Sequence, residues 1–267
     1  MNWAPITGRW PAVRHKAFVR GFSALAPYYL VNEFPKSGGT WLAKMLSDTL
    51  DLPFRQNAPI RLERSVTHGH FLNPLGLRNV VVLWRDPRDL LVSFYHHCYF
   101  VNEHNNAALV QIMKARCPFD DYADIRVNLP AFIRFLSKTP VSPSFTWPKF
   151  VAVWAWRPGT VQTSYEALRA DTPGELARVA EALTDTPLSA GRAAEVAERH
   201  NFARVKQAAD LAKPASAEVS FVREGALGGW RAHFDPEAQA ALEEGGYADG
   251  MHLLGYELAQ SEQGKSC

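Results

Sequence analysis

Residues 35–40 read Pro-Lys-Ser-Gly-Gly-Thr, set between an apolar run at 28–34 and a helical stripe that begins at Thr40. A lysine, two hydroxyls and two glycines at a strand-to-helix turn suit one task, holding an anion. The first N–H groups of a helix have no intrahelical partner. The helix dipole adds about 0.3–1 kcal/mol for negative charge at that end. Gly38 and Gly39 let the backbone of 37–40 come close to such a ligand, and Lys36 supplies a full charge. The nucleotide-triphosphate loop GxxxxGK[ST] has its lysine after the glycines, whereas Lys36 precedes them, so an NTPase fits poorly. The alternative is a plain turn with incidental polar residues, and the density of donors argues against it.

A second group follows in NVVVLWRDPRDLLVSFYHH, residues 79–97. Arg85 stands at the end of an apolar strand and Ser93 lies two turns into the next helix. An arginine fork and a hydroxyl at that distance can close on one phosphate through charge-assisted bonds. Local pairing of Arg85 with Asp86 or Asp89 is the competing role. It accounts for the charges but not for two anion-competent turns in one sheet.

Positioning these groups requires a particular grammar. Residues 28–34 are β-rich, and Leu42, Met45, Leu46 and Leu50 form a helical stripe after Thr40. The run at 79–84 is a strand covered on both faces. Asp86 caps the helix that follows, with Pro87 at its first position and Leu90, Leu91 and Phe94 on its apolar side. From Tyr99 to Thr146 no strand signal appears. Short helices, one near 130–137, and a mobile substrate-side loop are expected there. Residues 159–163 read as another strand, with helices at about 173–184 and 189–202, and 207–222 reads as a flexible loop. Strand and helix in alternation predict an α/β fold, a central parallel β-sheet flanked by helices, with ligands at the carboxyl ends of the strands. Without repeats or low-complexity linkers, one domain over 1–267 is expected, with its core at about 28–258.

The chain has 267 residues, 47% hydrophobic and 21% charged, with a net charge of +2. A core of useful size is available, and no global field points to nucleic acid. No apolar run reaches the roughly 18 residues of a membrane span. The segment 1–27 is basic and aromatic and lacks the form of a secretory signal. It is expected to be a solvated segment, with peripheral contact to an acidic membrane as the second option. Residues 259–267 read as a flexible tail. Cys98, Cys117 and Cys267 make no disulfide framework, which fits a reducing cytoplasm.

PKSGGTW at 35–41 resembles the PKSGTTW phosphosulfate loop of the cytosolic-type sulfotransferases, and LWRDPRDLLVSFYHH resembles their 3′-phosphate element. FVREGALGGWRAHF at 221–234 is similar to the family's RKGxxGDWKxxF segment. TSYEALRADTPGEL and VAERHNFARVKQ resemble further stretches, and the likeness runs in the family's order from about 28 to 258. A bacterial member is expected. The resemblance implies a bound 3′-phosphoadenosine 5′-phosphosulfate as co-substrate, with adenosine 3′,5′-bisphosphate as product, and no metal. It assigns the 5′-phosphosulfate to Lys36 and the backbone of Ser37, Gly38, Gly39 and Thr40. It assigns the 3′-phosphate to Arg85, Ser93, Arg223 and the Gly225 backbone. Trp41 and Phe202 would enclose the adenine and Tyr165 would contact it, core packing being the alternative for all three. Glu224 stands where the family has a lysine, Gly229 where it has an aspartate, and Asn201 where serine is common.

Sulfuryl transfer also needs a group to take the acceptor's proton, and a near-neutral histidine suits it. In RSVTHGHF, His68 follows Thr67 as the family's base follows its threonine, although Val66 occupies the lysine position of the family's KTH. His68 is the expected base, with His70 orienting the acceptor or pointing aside. A satisfied core or surface histidine is the alternative. A zinc half-site with His96, His97 or Cys98 lacks a complete ligand set at structural spacing. Lys36 is given a second role, stabilising charge on the bridging oxygen. In FTWPKFVAVWAW, at least two of Trp147, Trp154 and Trp156 are expected in the core, a pocket wall being the lesser option. The expected activity is transfer of the sulfuryl group to a hydroxyl or amine of a small-molecule, lipid or glycan acceptor. A non-catalytic nucleotide-binding protein on the same scaffold is the main alternative, and an ATP-dependent phosphotransferase the weaker one.

Overall fold

In the computed structural model, residues 17, 20–21, 28–55, 63–220, 225 and 227–257 are described. The expectations for Arg223, Glu224, residues 259–267 and all of 1–27 except 17, 20 and 21 lie outside them. The described residues form two compact units, one within 1–85 and 156–204, the other within 86–155 and 205–267.

The first unit is built on a four-stranded sheet of β1 (Tyr28–Glu33), β2 (Ser65–Gly69), β3 (Val80–Trp84) and β4 (Thr160–Ser164), in the order β2-β1-β3-β4. All three pairings are parallel. β1 and β3 are buried along their whole length, as their continuous apolar runs require. The chain goes to one side of β1 for β2 and to the other for β3. That reversal is where ligands of such sheets bind. Helix α1 (Gly39–Leu50) leaves β1 through the Pro-Lys-Ser-Gly turn and buries Leu42, Met45 and Leu46. These pack with Val31, Val66 and Val81 of the sheet and with Leu176, Val179 and Val196 from later helices.

Two expectations need correction here. The segment RSVTHGHF, where no strand was expected, contains β2, whose Val31↔His68 pairing puts His68 beside the end of β1. Only Val66 is apolar there, so the strand signal is too short to read. The segment 207–222, taken as a loop, opens inside a helix (Phe202–Ala212), because alanine and leucine sustain it until Lys213-Pro214.

In the second unit, α2 (Pro87–Tyr99) starts as read, with Asp86 accepting from the Arg88 N–H. The helix expected near 130–137 is longer, Ile125–Lys138, because Asp124 caps it a turn and a half earlier and Pro130 is taken into its interior. Trp147 and Trp154 are core residues as expected, whereas Trp156, in the first unit, is 63% exposed. Among the described residues no helix is long and apolar enough to cross a membrane.

Candidate functional site

The chain must turn from β1 into α1 between Phe34 and Gly38, and two residues do it with left-handed backbones, Lys36 (φ 77°) and Gly38 (φ 103°). A side chain at such an angle costs about 1–2 kcal/mol, so Lys36 has to be held there. Its carbonyl accepts a hydrogen bond from Arg85 Nη1 at 2.9 Å. Ser37 is buried and donates its hydroxyl to the Phe34 carbonyl at 2.8 Å. A Cβ on Gly38 would lie 2.8 Å from the Tyr165 ring, so the loop backbone rests directly on that ring. The Arg85 guanidinium sits 4.5 Å from the centre of the same ring, and Trp41 meets it edge-on at 5.8 Å.

Lys36, Ser37, Gly38, Trp41, Arg85 and Tyr165 are thus brought together, with Gly39 and Thr40 starting the helix beneath them. Among the described residues the buried Nε of Arg85 has no hydrogen-bond partner. Leaving such a donor unmet costs about 1–3 kcal/mol, which an anionic ligand would remove. Trp41 is anchored by its indole N–H, which donates to the His200 carbonyl at 2.9 Å. Phe202 is half-buried, and Arg169 covers its ring at 4.7 Å, so it is not a core residue.

The acid–base groups lie at the same end of the sheet. His68 Nε2 lies 3.0 Å from Glu33 Oε1, within hydrogen-bond distance, and Glu33 Oε2 accepts the Gly39 N–H at 2.5 Å. His70 approaches the Glu33 carbonyl through Nδ1 at 2.9 Å, and since a carbonyl only accepts, Nδ1 carries the proton. The two imidazoles meet edge to face at 4.9 Å. Burial pushes the Glu33 carboxyl up, but the His68 hydrogen bond, the His68 and His70 charges and the Gly39 N–H outweigh it and hold it below its ordinary range. Asn32, fully buried, donates to the Phe71 carbonyl at 3.0 Å and accepts its N–H at 2.7 Å, which fixes the segment leaving His70.

Glu33, His68 and His70 present ligand-type atoms within 4.8 Å of one another, close enough for a cation. The hydrogen bonds that already join them make a proton-handling group the more economical description. Sequence reasoning passed over Glu33 and Asn32. The available signal was a carboxylate ending a buried strand, a charge that must find partners.

In the second unit Ser93 is half-buried on α2, and Gly225 has a left-handed backbone (φ 57°). The acids proposed as local partners for Arg85 are otherwise engaged. Asp86 pairs with Arg88 Nη2 at 2.7 Å, and Asp89 accepts the N–H groups of Gly228 and Trp230 at 2.7 and 2.8 Å. Arg88 also covers the Trp230 ring at 3.9 Å. His97 Nδ1 meets the Asn102 amide at 2.7 Å, and His96, His97 and Cys98 form no ligand cluster among the described residues.

A family model described as a sulfotransferase domain matches residues 75–254, a stretch that includes Arg85, Ser93 and Arg223 and begins after the Lys36 loop and the two histidines. Among solved structures, a mouse sulfotransferase complexed with PAP is 18% identical with a TM-score of 0.61, covering 86% of this chain and 89% of its own. Retinol dehydratase complexed with retinol and PAP is 19% identical with a TM-score of 0.58, covering 94% and 88%. The same enzyme with androsterone and inactive cofactor PAP gives 19%, 0.56, 90% and 85%. At these identities the likeness is one of fold. No curated protein matches the sequence.

Proposed function

The chain belongs to the sulfotransferase family, and from that premise we propose that it transfers the sulfuryl group of 3′-phosphoadenosine 5′-phosphosulfate to a hydroxyl or amine of a small acceptor. The observation that carries this is the turn at the carboxyl end of β1. Two left-handed residues, a helix start, Lys36 and a half-buried Arg85 whose Nε lacks a hydrogen-bond partner among the described residues converge there. The solved relatives with this fold are complexed with PAP, adenosine 3′,5′-bisphosphate, and one also with retinol or androsterone, which supports a nucleotide site and a small-molecule acceptor. Lys36 and the backbone of Ser37 to Thr40 take the 5′-phosphosulfate. Arg85, Ser93, Arg223 and Gly225 take the 3′-phosphate, Glu224 belonging to the same stretch of sequence, and Trp41, Tyr165 and Phe202 serve the adenine.

In the reaction the acceptor oxygen or nitrogen forms a bond to sulfur as the bond from sulfur to the bridging oxygen breaks. The acceptor's proton passes to His68, with His70 orienting the acceptor. The electron pair leaves on the 5′-phosphate, whose charge Lys36 stabilises. The matched stretch draws on residues of both units, which supports one domain of about 28–258. The buried free thiol of Cys117 supports a cytoplasmic setting.

Calorimetry with adenosine 3′,5′-bisphosphate and with AMP tests the nucleotide half. The bisphosphate is expected to bind much more tightly, because AMP leaves the donors of the 3′-phosphate site unpaired. Equal affinities, or a preference for ATP with magnesium, defeat the proposal.

A further inference from the structure

We infer that Glu33 is a positioning residue that fixes the tautomer of His68, placing the proton on Nε2 and the basic lone pair on Nδ1. This rests on the proposal that His68 is the general base. Glu33 is buried, 3% exposed, at the last position of β1, and each of its carboxylate oxygens has its own donor. Oε2 accepts from the Gly39 N–H, and Oε1 lies 3.0 Å from His68 Nε2. A backbone N–H can only donate, so it claims one oxygen outright. The second oxygen then dictates the state of the imidazole, because an ionised carboxylate can only accept.

Gly39 is a second and separate sign of the same device. A Cβ there would come within 2.6 Å of the Glu33 carboxyl carbon and 2.7 Å of His68 Nε2. The family motif PKSGTTW carries a threonine at this place, and a threonine would drive the pair apart. The glycine makes room for the carboxylate–imidazole contact while keeping the helix start, so one buried acid links the base to the anion loop. Among the described residues, His68 is faced by this carboxylate from β1, by the His70 ring two residues along and by Gly39 at the start of α1, as well as by other contacts. The carboxylate also supports the imidazolium that forms when the acceptor's proton arrives.

The decisive variant is Glu33→Gln, which keeps the shape and removes one acceptor. If the amide oxygen keeps the Gly39 N–H, the amide nitrogen must donate to His68 Nε2, and the imidazole proton is forced onto Nδ1. We expect kcat to fall about 10²-fold or more, with the KM for the sulfate donor little changed. The acid limb of the rate profile should move to lower pH, because a negative charge 3.0 Å from the ring has gone. Nitrogen-15 spectra of His68 read the tautomer without any turnover. The proton should be on Nε2 in the wild type and on Nδ1 in the variant. A wild-type spectrum with the proton on Nδ1 overturns the inference, and this measurement stands even if the variant does not fold. So does a variant that keeps its tautomer, or one whose kcat or acid limb is unmoved. A wild-type protein with the expected tautomer but no transfer from the phosphosulfate would instead count against the proposed function.

Discussion

Glu33 and Asp89 are both buried carboxylates in the motif-bearing parts of the chain, and they differ in what they hold. Asp89, in the second unit, gives both oxygens to backbone N–H groups, at Gly228 and Trp230. Glu33, in the first, divides its oxygens between a backbone N–H and an ionisable ring. A carboxylate bound only by backbone fixes chain geometry. One bound to an imidazole also sets where a proton can go. The partners, more than the burial or the acid itself, separate a strut from a piece of reactive chemistry.

The most forceful way to break that contrast is to remove the ring. His68→Ala should lower transfer by about 10²–10⁴-fold while leaving affinity for adenosine 3′,5′-bisphosphate nearly intact, and His70→Ala should cost much less. Steady-state rates and calorimetry on both variants check this. If His70→Ala is the dead variant, the base is the imidazole anchored through Nδ1 on the Glu33 carbonyl. If both remain active, the Glu33 end of the sheet is a strut as well.

Lys36→Ala comes next, with turnover expected to fall about 10²–10³-fold and the melting temperature near that of the wild type. Lys36 lies in the turn rather than in the apolar stripe of α1, and its backbone is held by Arg85 whatever its side chain. Unchanged turnover with an unchanged melting temperature would remove the lysine from the chemistry.

Asp89→Ala should give the opposite pattern. The buried N–H of Trp230 and the half-buried N–H of Gly228 lose their acceptor, a loss of about 1–3 kcal/mol for a buried group left unmet, visible as an earlier denaturant midpoint. The acid limb of the rate profile should stay where it is in the wild type. A displaced limb would mean that Asp89, too, acts on the proton chemistry, and the distinction between the two acids would fail.

The elements that carry chemistry were legible where local sequence alone determines them. The VVVLW strand announces itself by unbroken apolar residues, and the Asp86-Pro87 start of α2 by its cap. The anion turn was legible because lysine and glycine at a strand–helix junction have few other uses. β2 was not, since its strand character comes from pairing with β1 and only one of its residues is apolar. Glu33 was missed for a related reason. In sequence it is one polar letter in an apolar run, and its role exists only once parallel pairing lays His68 alongside. For Asp89 the sequence offered only a local pairing with Arg85 as an alternative, whereas its partners lie 139 and 141 residues away.

The finest test of the comparison uses acid. The folded state holds the Glu33 carboxyl below its ordinary range, since its histidine and Gly39 partners outweigh the effect of burial. A depressed carboxyl stabilises the fold above the unfolded value, about pH 4.3 for glutamate. As pH falls below that value the unfolded chain takes up the proton first, and the stabilisation disappears as the folded group titrates in turn. Glu33→Gln has no such proton to gain. The melting-temperature gap between wild type and Glu33→Gln should therefore be widest above the carboxylate range and shrink on acidification below it, each ~1 kcal/mol of linkage appearing as about 2–4 °C in a chain of this size. Thermal unfolding across a pH series reads the gap directly. A gap that stays constant or widens as pH falls would show that the histidines do not hold the Glu33 carboxylate ionised, and Glu33 would then join Asp89 as architecture.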